Sequence, residues 1–350
     1  MKLLNATINR IKRQDESWRQ RARERLNQLT MPHWALGRLM DLALDLAGMT
    51  HSLKPSVARK GIVTMAADHG VAAEGVSQYP QEVTAQMVRN FVDGGAGINA
   101  LAGVAGARII VVDMGVADAL DAMEGKILSR RQGAGTQNIT VGPAMSPDQA
   151  IASIEAGIQL ADKLSESIDL LGTGDMGIGN TTPSAAIAAA VVGCPVSQLV
   201  GRGTGIDDTR LRHKTALIEK ALDLNQPNRE DGLDLLNKVG GFEIGGMAGL
   251  MLGAATQGRP VVVDGYISTA AALIAQLLAP ASVDYMILSH LSAEGGHWLM
   301  CDHLGKEPLL NLHLRLGEGT GAALAMPLVE AAAAVLTQIK TFEEASVSRG

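Results

Sequence analysis

The chain has 350 residues, which is enough for a large hydrophobic core and a second, smaller domain without stabilising cross-links. Its 30 Lys and Arg against 36 Asp and Glu give a net charge of −6, which argues against a general electrostatic attraction to nucleic acid or to an anionic membrane. Aromatic residues make up only 3 % of the chain, so a base-stacking platform for nucleic acid is also disfavoured.

The N-terminal region and the cysteines predict a cytoplasmic protein. Residues 11–16 carry four charges, which interrupt the apolar run that a secretion signal requires. The chain has two cysteines, Cys194 and Cys301, a number typical of a reducing compartment. We expect no transmembrane helix, because Gly, Pro or charged residues interrupt each Ala-rich run before about 20 residues.

Two helices are predicted before residue 50. In residues 7–29, apolar side chains recur three or four positions apart among Arg, Glu and Gln, with one slip, as on an amphipathic helix. Residues 36–46 form a more apolar helical run, and Gly48 is placed to end it. We expect these helices to form a helical subdomain or an arm that packs on a partner subunit.

From Gly61 onward, short apolar runs alternate with Gly- or Asp-containing turns and Ala-rich helical stretches. This alternation is typical of βα units that build a parallel sheet with helices on both faces. The chain is therefore predicted to be an α/β protein with a Rossmann-like parallel sheet flanked by helices. The predicted strands are residues 62–66, 108–112, 168–171, 260–263 and 285–289.

Polar residues follow most of these strands, and in open α/β sheets ligands bind beyond the carboxyl ends of the strands. We expect these residues to line one crevice. The first pair, Asp68 and His69, could act as a base and its orienting partner, or could be strand-end residues whose side chains point apart. The remaining strand-end groups are Asp113, Asp175, Asp264, Ser289 and His290.

Two glycine-rich segments are candidates for phosphate binding. Residues 172–184 follow a predicted strand and lead into a helix whose first turn contains Pro183, so free N–H groups, the helix dipole and small hydroxyls can surround an anion. The alternative is a plain structural turn. Residues 201–205 form the second segment, and Lys214 follows it by one or two helical turns. Lys214 could neutralise a phosphate or could be one solvated lysine among other basic residues.

A single carboxylate, Glu318, lies between Gly317 and Gly319 at the point where an apolar segment meets an Ala-rich helix predicted to begin near Ala322. The flanking glycines let the backbone adopt conformations closed to other residues and let a ligand come close. A surface turn whose acid favours a helix N-terminus is the alternative. We predict that Glu318 takes part in chemistry.

Several segments together resemble one family, the nicotinate-nucleotide:dimethylbenzimidazole phosphoribosyltransferases, which make alpha-ribazole phosphate for the lower ligand of cobalamin. Their order and spacing agree from about residue 36 to residue 332. The resemblance implies a large parallel-sheet domain at 51–325, a small helical domain from 1–50 and 326–350, and a homodimer. The matching segments are residues 67–71, 177–183, 225–228, 238–242, 264–265, 289–294 and 314–325.

The resemblance also implies roles for individual residues. Glu318 matches the general base, and Asp175 is a second candidate catalytic carboxylate, although it is one methylene shorter than the Glu of some relatives. Tyr79, Met87 and Met176 stand where the best-known relatives have Ser, Gln and Leu, which leaves the acceptor base open. The predicted substrate-binding residues are Tyr79, Met87, Met176, Gly177, Asn180, Thr181, Gly203, Lys214, Asp264, Ser292, Leu316, Gly317 and Gly319.

The implied reaction transfers the phosphoribosyl group of nicotinate mononucleotide to dimethylbenzimidazole or a related base. The pyridine nitrogen is already cationic, so cleavage of the C–N bond releases a neutral ring without an acid or a metal. The attacking benzimidazole would become a cation unless a base removes the proton from its other nitrogen. By this resemblance Glu318 is that base.

No metal and no cofactor are predicted. The apolar run before Asp264 invites comparison with the diphosphate-sugar loop of ordinary phosphoribosyltransferases, where two adjacent acids manage ribose and Mg²⁺. Only one acid is present here, which disfavours a magnesium-diphosphate donor, while Asp264 could still hold ribose hydroxyls. His297 and Cys301 are one helical turn apart, but third and fourth metal ligands are poorly defined.

Two other functions are weighed against this one. An NAD-linked oxidoreductase would carry Gly-x-Gly-x-x-Gly after its first strand, where this chain has Asp-His-Gly. A non-catalytic nucleotide-binding module would have no need of Glu318 within a glycine turn. The predicted partners are therefore small-molecule substrates and a second copy of the chain, and it stays open whether the N-terminal helices pack within one subunit or across two.

Overall fold

A computed structural model describes residues 1–348 of the chain. Its sheet has six strands in the order β3-β2-β1-β4-β5-β6, and all neighbouring strands are parallel. The strands are β1 Lys60–Ala67, β2 Ala107–Gly115, β3 Leu128–Ser129, β4 Leu170–Met176, β5 Val261–Val263 and β6 Met286–Leu288.

Helices cover both faces of this sheet. They are α1 Lys2–Ile8, α2 Glu16–Leu26, α3 Arg38–Thr50, α4 Val83–Asp93, α5 Gly97–Ala105, α6 Pro147–Leu164, α7 Thr181–Val192, α8 Val196–Leu199, α9 Asp208–Asn225, α10 Gly232–Val239, α11 Phe242–Thr256, α12 Tyr266–Leu278, α13 His297–His303, α14 Thr320–Gln338 and α15 Phe342–Ala345. Short 3₁₀ helices span Gly70–Glu74, Asp121–Met123 and Pro280–Tyr285.

The strand order is that of a doubly wound nucleotide-binding sheet, so the predicted Rossmann-like α/β fold is confirmed. The chain builds one side of the sheet from β1 to β3 and then crosses back to place β4 beside β1. In register, Ala66 of β1 lies level with Asp113 of β2 and Met176 of β4. The carboxyl ends of these strands therefore meet at one edge, and the crevice beside β1 and β4 opens there.

Each predicted strand is present, and strand β1 is buried along its whole length, as its unbroken apolar run indicated. The prediction was wrong about β4, which continues to Met176 through residues interpreted as a loop. The strand needs glycine at position 174 because the Glu318 turn lies directly against it. A Cβ at Gly174 would be 2.4 Å from the carbonyl oxygen of Glu318. The short edge strand β3 was not predicted.

The N-terminal helices also differ from the prediction. Residues 7–29 do not form one helix: α1 ends at Ile8, and α2 begins separately after Asp15, which accepts a hydrogen bond from Ser17 N at 2.8 Å. Helix α3 ends at Thr50 and not at Gly48, and His51, with φ 50°, caps it. Gly48 lies inside the helix, where a Cβ would be 2.8 Å from the Arg19 side chain, so its small size serves helix packing.

Helices α6 and α11 pack through glycine, which explains how a core with few aromatic residues is filled. Helix α11 is buried from Phe242 to Ala255. A Cβ at Gly157 of α6 would lie 1.9 Å from the carbonyl oxygen of Gly246, and one at Gly249 would lie 1.9 Å from that of Ile154. The two helix backbones are therefore in direct contact.

The two ends of the chain pair with each other. Leu29 and Thr341 form an antiparallel bridge, Thr30 N donates to Lys340 O at 3.0 Å, and Phe342 N donates to Gln28 O at 2.9 Å. Helix α3 packs on α14, whereas α1 packs on α6. By length and composition α14 could cross a membrane, but 61 % of that apolar window is buried inside the protein. Pro327 lies within α14 without ending it.

Replacing Gly157 with alanine should destabilise the protein. The added methyl group has no space beside Gly246 O, and overpacking of this kind costs about 1–3 kcal/mol, more than the roughly 1 kcal/mol that alanine gains in helix propensity. The measurement is the free energy of unfolding in urea.

Gly103→Ala is the matched control, because a Cβ at that position of helix α5 meets no atom within 4 Å. It should leave the free energy of unfolding unchanged or raise it. Equal stability of the two variants would contradict the close contact between α6 and α11.

Candidate active site

A cavity of about 540 Å³ opens at the carboxyl edge of the sheet, beyond β4. Segments from both halves of the sheet line it, as expected at the point where the strand order reverses. The lining residues are Val76, Ser77, Tyr79, Val83, Met87, Asp175, Met176, Gly177, Ile178, Gly179, Asn180, Thr181, Gly203, Thr204, Gly265, Tyr266, Ile267, His290, Ser292, Glu294, Arg315, Leu316, Gly317 and Glu318.

Glu318 lines this cavity from a strained turn. Gly317, Glu318 and Gly319 all have left-handed backbone, with φ of 80°, 64° and 97°. This conformation is unfavourable for glutamate, so the surroundings must impose it. Glu318 N donates to Asp175 O at 3.2 Å, and Glu318 O accepts from the Thr64 hydroxyl at 2.9 Å. The sheet thereby fixes both peptide groups of the residue, and α14 begins at Thr320, slightly earlier than predicted.

Glu318 is only 5 % exposed. Its Oε2 accepts a hydrogen bond from Ile98 N at 3.0 Å, at the first turn of α5. Burial raises the pKa of Glu318, while the Ile98 N–H group opposes that shift. The result is a carboxylate that is held in one place and is a stronger base than an exposed glutamate.

Asp175 lies beside this group at the end of β4. Its Oδ2 accepts from Asn180 Nδ2 at 2.9 Å, and its Oδ1 has no hydrogen-bond partner in the described chain. Burial raises the pKa of Asp175 well above its usual value, and the nearby carboxylate of Asp264 raises it further. Both effects favour the protonated form of Asp175.

Asp264 does not line the cavity. Its Oδ1 accepts from Ala322 N at 3.0 Å and its Oδ2 from Gly319 N at 3.2 Å, so the carboxyl group caps the N-terminus of α14. Burial raises the pKa of Asp264 to about 7. Both oxygens are engaged by the start of α14, and the prediction that Asp264 holds ribose hydroxyls stays a prediction.

The opposite end of the cavity suits an anion. Thr181 begins α7, and its hydroxyl accepts from Lys214 Nζ at 2.7 Å. A Cβ at Gly203 would be 3.1 Å from the Thr181 hydroxyl and 3.5 Å from Lys214 Nζ, so the second glycine segment lies directly over this pair. Burial lowers the pKa of Lys214 to about 8, although attraction to Glu294 opposes the shift. Arg315 adds a second positive charge and donates to Gly203 O at 3.2 Å.

Apolar side chains form the remaining wall near Glu318. Met87, Met176 and Val83 line it, and Tyr79 and Leu316 stand at the mouth with exposures of 54 % and 59 %. Large apolar groups with this exposure around a concave site are typical of a surface that a flat ligand or a partner covers.

Most of the predicted site residues thus line one cavity. Lys214, Asp264 and Gly319 lie behind its wall. Sequence reasoning placed His290 only among the strand-end residues expected to line the crevice and did not assign Glu294 or Arg315 to the site, although all three belong to segments that carried the family resemblance. Their position next to Ser292 and Glu318 in the sequence was the available signal.

The Asp68–His69 pair does not form a base and its orienting partner. The two side chains point apart, as is common for adjacent residues at a strand end. His69 Nε2 lies 2.8 Å from Glu243 Oε1, whereas Asp68 Oδ2 accepts from Ala117 N at 2.7 Å. Burial works against the charged His69 ring, but the Glu243 carboxylate outweighs it and raises the pKa of His69. Neither residue lines the cavity.

The His297 ring is occupied by hydrogen bonds within the protein. Its Nδ1 accepts from Ser292 N at 2.8 Å, and its Nε2 lies 2.8 Å from the Thr269 hydroxyl. Burial lowers the pKa of His297 to about 3. Within residues 1–348, no group of three or more His, Cys, Asp or Glu side chains is arranged to hold a metal ion.

Comparison with known proteins identifies the family. A family model described as phosphoribosyltransferase matches residues 11–347. The nicotinate-nucleotide–dimethylbenzimidazole phosphoribosyltransferase of Syntrophotalea carbinolica is 62 % identical over 100 % of both chains, and that of Desulfotalea psychrophila is 56 % identical over 99 % of both. The crystal structure of CobT from Thermus thermophilus superposes with a TM-score of 0.92 at 46 % identity, covering 95 % of this chain and 100 % of that one. The resemblance found in the sequence is confirmed: the chain belongs to the nicotinate-nucleotide–dimethylbenzimidazole phosphoribosyltransferase family.

Proposed function

We propose that this enzyme transfers the phosphoribosyl group of nicotinate mononucleotide to dimethylbenzimidazole or a related base. The products are alpha-ribazole phosphate and nicotinate, and the reaction belongs to the synthesis of the lower ligand of cobalamin. The observation that carries this proposal is the position of Glu318, a buried and fixed carboxylate in a cavity that is basic at one end and apolar at the other.

The basic end binds the nucleotide phosphate. The first turn of α7 presents the Thr181 hydroxyl, and the dipole of the helix favours negative charge there. Lys214 and Arg315 supply positive charge from two other segments, and Ser292 adds a hydroxyl. The net charge of the chain is negative, so this local arrangement is what selects an anion.

The apolar end holds the acceptor ring. Met87, Met176 and Leu316 offer flat, deformable surfaces to an aromatic base, and Tyr79 closes the mouth. These side chains provide no charged partner, which favours a neutral benzimidazole over a charged acceptor. A ring bound here lies beside the Glu318 carboxylate.

The chemistry follows from charge. Nicotinate leaves as a neutral pyridine ring while the ribosyl carbon becomes oxocarbenium-like, and a benzimidazole nitrogen attacks the opposite face, so the configuration inverts from beta to alpha. Glu318 takes the proton from the other nitrogen, which prevents a cationic product ring. Positioning of the two rings in one cavity contributes further to the rate.

Asp175 assists as a neutral group. Its protonated carboxyl can donate a hydrogen bond from the oxygen that has no partner in the described chain. A neutral Asp175 also avoids electrostatic repulsion next to Glu318, which keeps the base available for the substrate proton.

We infer that the chain divides into a large domain at 51–325 and a small domain built from 1–50 and 326–350. The hydrogen bonds between residues 28–30 and 340–342 support this division, and so does the contact of Arg25 Nη1 with Glu344 Oε1 at 3.0 Å. Helix α1 packs on α6 of the large domain, so α2 and α3 carry most of the association.

The enzyme is further proposed to be a cytoplasmic homodimer. Leu312 and Leu316 are more than half exposed on the segment that leads into the Glu318 turn, and a second subunit would cover them. Cys194 and Cys301 are free thiols, which fits a reducing compartment.

Incubation with nicotinate mononucleotide and dimethylbenzimidazole should release nicotinate, and Glu318→Gln should lower kcat by about 10²–10⁴. The amide can still accept from Ile98 N but cannot take a proton, so nucleotide binding should persist. Because burial raises the pKa of Glu318, wild-type kcat should fall with decreasing pH while the pH is still above the ordinary value of 4.5. The measurements are nicotinate release by chromatography and nucleotide binding by calorimetry.

Glu166→Gln is the control for this experiment, because Glu166 is exposed and precedes β4 at the opposite edge of the sheet. Its kcat should equal that of the wild type. Near-normal turnover of Glu318→Gln would remove Glu318 from the mechanism, and no nicotinate release by the wild type would refute the proposed function.

Lys214→Met should weaken nucleotide binding by about 10- to 100-fold, because it removes the positive charge behind Thr181 together with the hydrogen bond that orients the Thr181 hydroxyl, and a charge-assisted hydrogen bond contributes about 1.5–3 kcal/mol. Nicotinate riboside, which lacks the phosphate, should bind both forms equally. The pKa of Lys214 is about 8, so wild-type affinity for the nucleotide should fall as the pH rises through that value and the ammonium loses its proton.

Lys220→Met, at an exposed position of the same helix, serves as the control and should bind the nucleotide normally. An equal loss of nucleotide and riboside affinity in Lys214→Met would show that Lys214 does not act on the phosphate.

Size-exclusion chromatography with light scattering should give twice the chain mass of 36.5 kDa. Leu312→Glu should shift the protein toward monomer, because it places a charge on the apolar surface expected to be covered. A wild-type protein that stays monomeric at micromolar concentration would exclude the homodimer.

A further inference from the structure

His290 is a cavity residue to which the proposed function gives no role. It follows β6 and lines the cavity, but it is only 2 % exposed. It is held in a slot made by two glycines: a Cβ at Gly321 would be 1.9 Å from its Nδ1, and a Cβ at Gly265 would be 3.2 Å from its Nε2. Any larger residue at these positions would displace the ring.

The hydrogen bonds of Ser289 fix the tautomer of His290. The Ser289 hydroxyl donates its single proton to the carbonyl oxygen of Asp264 at 2.6 Å. It lies 3.0 Å from His290 Nδ1 and can therefore only accept there. Nδ1 consequently carries the ring proton, and Nε2 has a free lone pair.

The ring also stays neutral. Burial lowers the pKa of His290 to about 4, and within residues 1–348 no carboxylate is paired with the ring. The other two buried histidines differ in this respect, because His69 is paired with Glu243 and both ring nitrogens of His297 are hydrogen-bonded within the protein. Among these three, His290 is the ring that offers a bare acceptor atom to the cavity.

The position of this acceptor lies between the two ends of the cavity. Gly265, which faces Nε2, is also close to Ser292 at the phosphate end. On the other side of the ring, Gly321 follows Glu318 by three residues at the start of α14. In a nucleotide whose phosphate lies at Ser292 and whose base lies at Glu318, the sugar occupies the space between.

We propose that Nε2 of His290 accepts a hydrogen bond from a ribose hydroxyl of the nucleotide and so positions the sugar between the phosphate site and the attacking base. This inference rests on the proposed function for the identity of the ligand. A protonated imidazole or the other tautomer would present an N–H group at this point, and the hydroxyl would lose its acceptor. The hydrogen bonds of Ser289 with Asp264 O and His290 Nδ1 thus favour a sugar that carries a hydroxyl group at this point.

The test compares nicotinate mononucleotide with its 2′-deoxy and 3′-deoxy forms in the wild type and in His290→Phe, which keeps a flat ring without a lone pair. The wild type should lose about 10- to 100-fold in kcat/KM with one of the two deoxy nucleotides. His290→Phe should show a similar loss with the parent nucleotide. It should show little additional loss with that same deoxy nucleotide, because the variant and the missing hydroxyl remove the same hydrogen bond. The proposal would be overturned if, for both deoxy nucleotides, the loss of kcat/KM in His290→Phe equalled the product of the loss from the variant and the loss from the missing hydroxyl.

A second measurement needs no variant. In the ¹⁵N-histidine spectrum of the wild type, His290 should be the neutral ring protonated at Nδ1 that stays neutral as the pH is lowered to 5. Its Nε2 signal should move when the parent nucleotide binds and should move much less with one deoxy nucleotide. An unmoved signal, or equal movement with all three nucleotides, would contradict the hydrogen bond. Binding alone drives this readout, so it is separate from nicotinate release, whose absence would refute the proposed function instead.

Discussion

The active site depends on the close contact between the Glu318 turn and strand β4. The absence of a side chain at Gly174 lets the carbonyl of Glu318 approach the strand, and Thr64 and Asp175 then hold the two peptide groups of that residue. These contacts compensate the unfavourable left-handed conformation of a non-glycine residue. A carboxylate that is fixed in this way needs no reorganisation before it accepts a proton, which is the basis of preorganised catalysis.

Burial gives each ionisable group of the site a different task. Glu318 retains one hydrogen bond from a helix N-terminus and becomes a moderately stronger base, whereas Asp175 is enclosed next to Asp264 and favours the neutral acid. Both oxygens of Asp264 accept hydrogen bonds from backbone N–H groups at the start of α14. Three carboxyl groups can therefore lie close together because their surroundings separate their protonation states, as in other sites where paired acids act differently.

The parts of the fold that could be predicted from the sequence are those in which a local pattern has one structural solution. Strands such as β1, covered on both faces, are unbroken apolar runs, and the glycines around Glu318 indicated an unusual turn with a carboxylate. The extension of β4 could not be predicted, because its glycines suit a loop equally well and only the distant Glu318 turn explains them. The break between α1 and α2 was hidden because Ile11, between the helices, packs against the buried apolar residues of both sides of the sheet and continues the apolar repeat. The tautomer that makes Nε2 of His290 an acceptor is set by the Ser289 hydroxyl, which already donates its proton to Asp264 O. No sequence pattern indicates this hydrogen bond.

The bridge between Leu29 and Thr341 has a consequence for synthesis on the ribosome. Helices α2 and α3 are translated about 300 residues before the backbone groups at 340–342 that pair with residues 28–30. The apolar face of α3 that packs on α14 therefore stays uncovered until α14 has been made. Formation of this part of the molecule therefore waits for the synthesis of α14, and the exposed apolar face of α3 is prone to aggregation in the meantime.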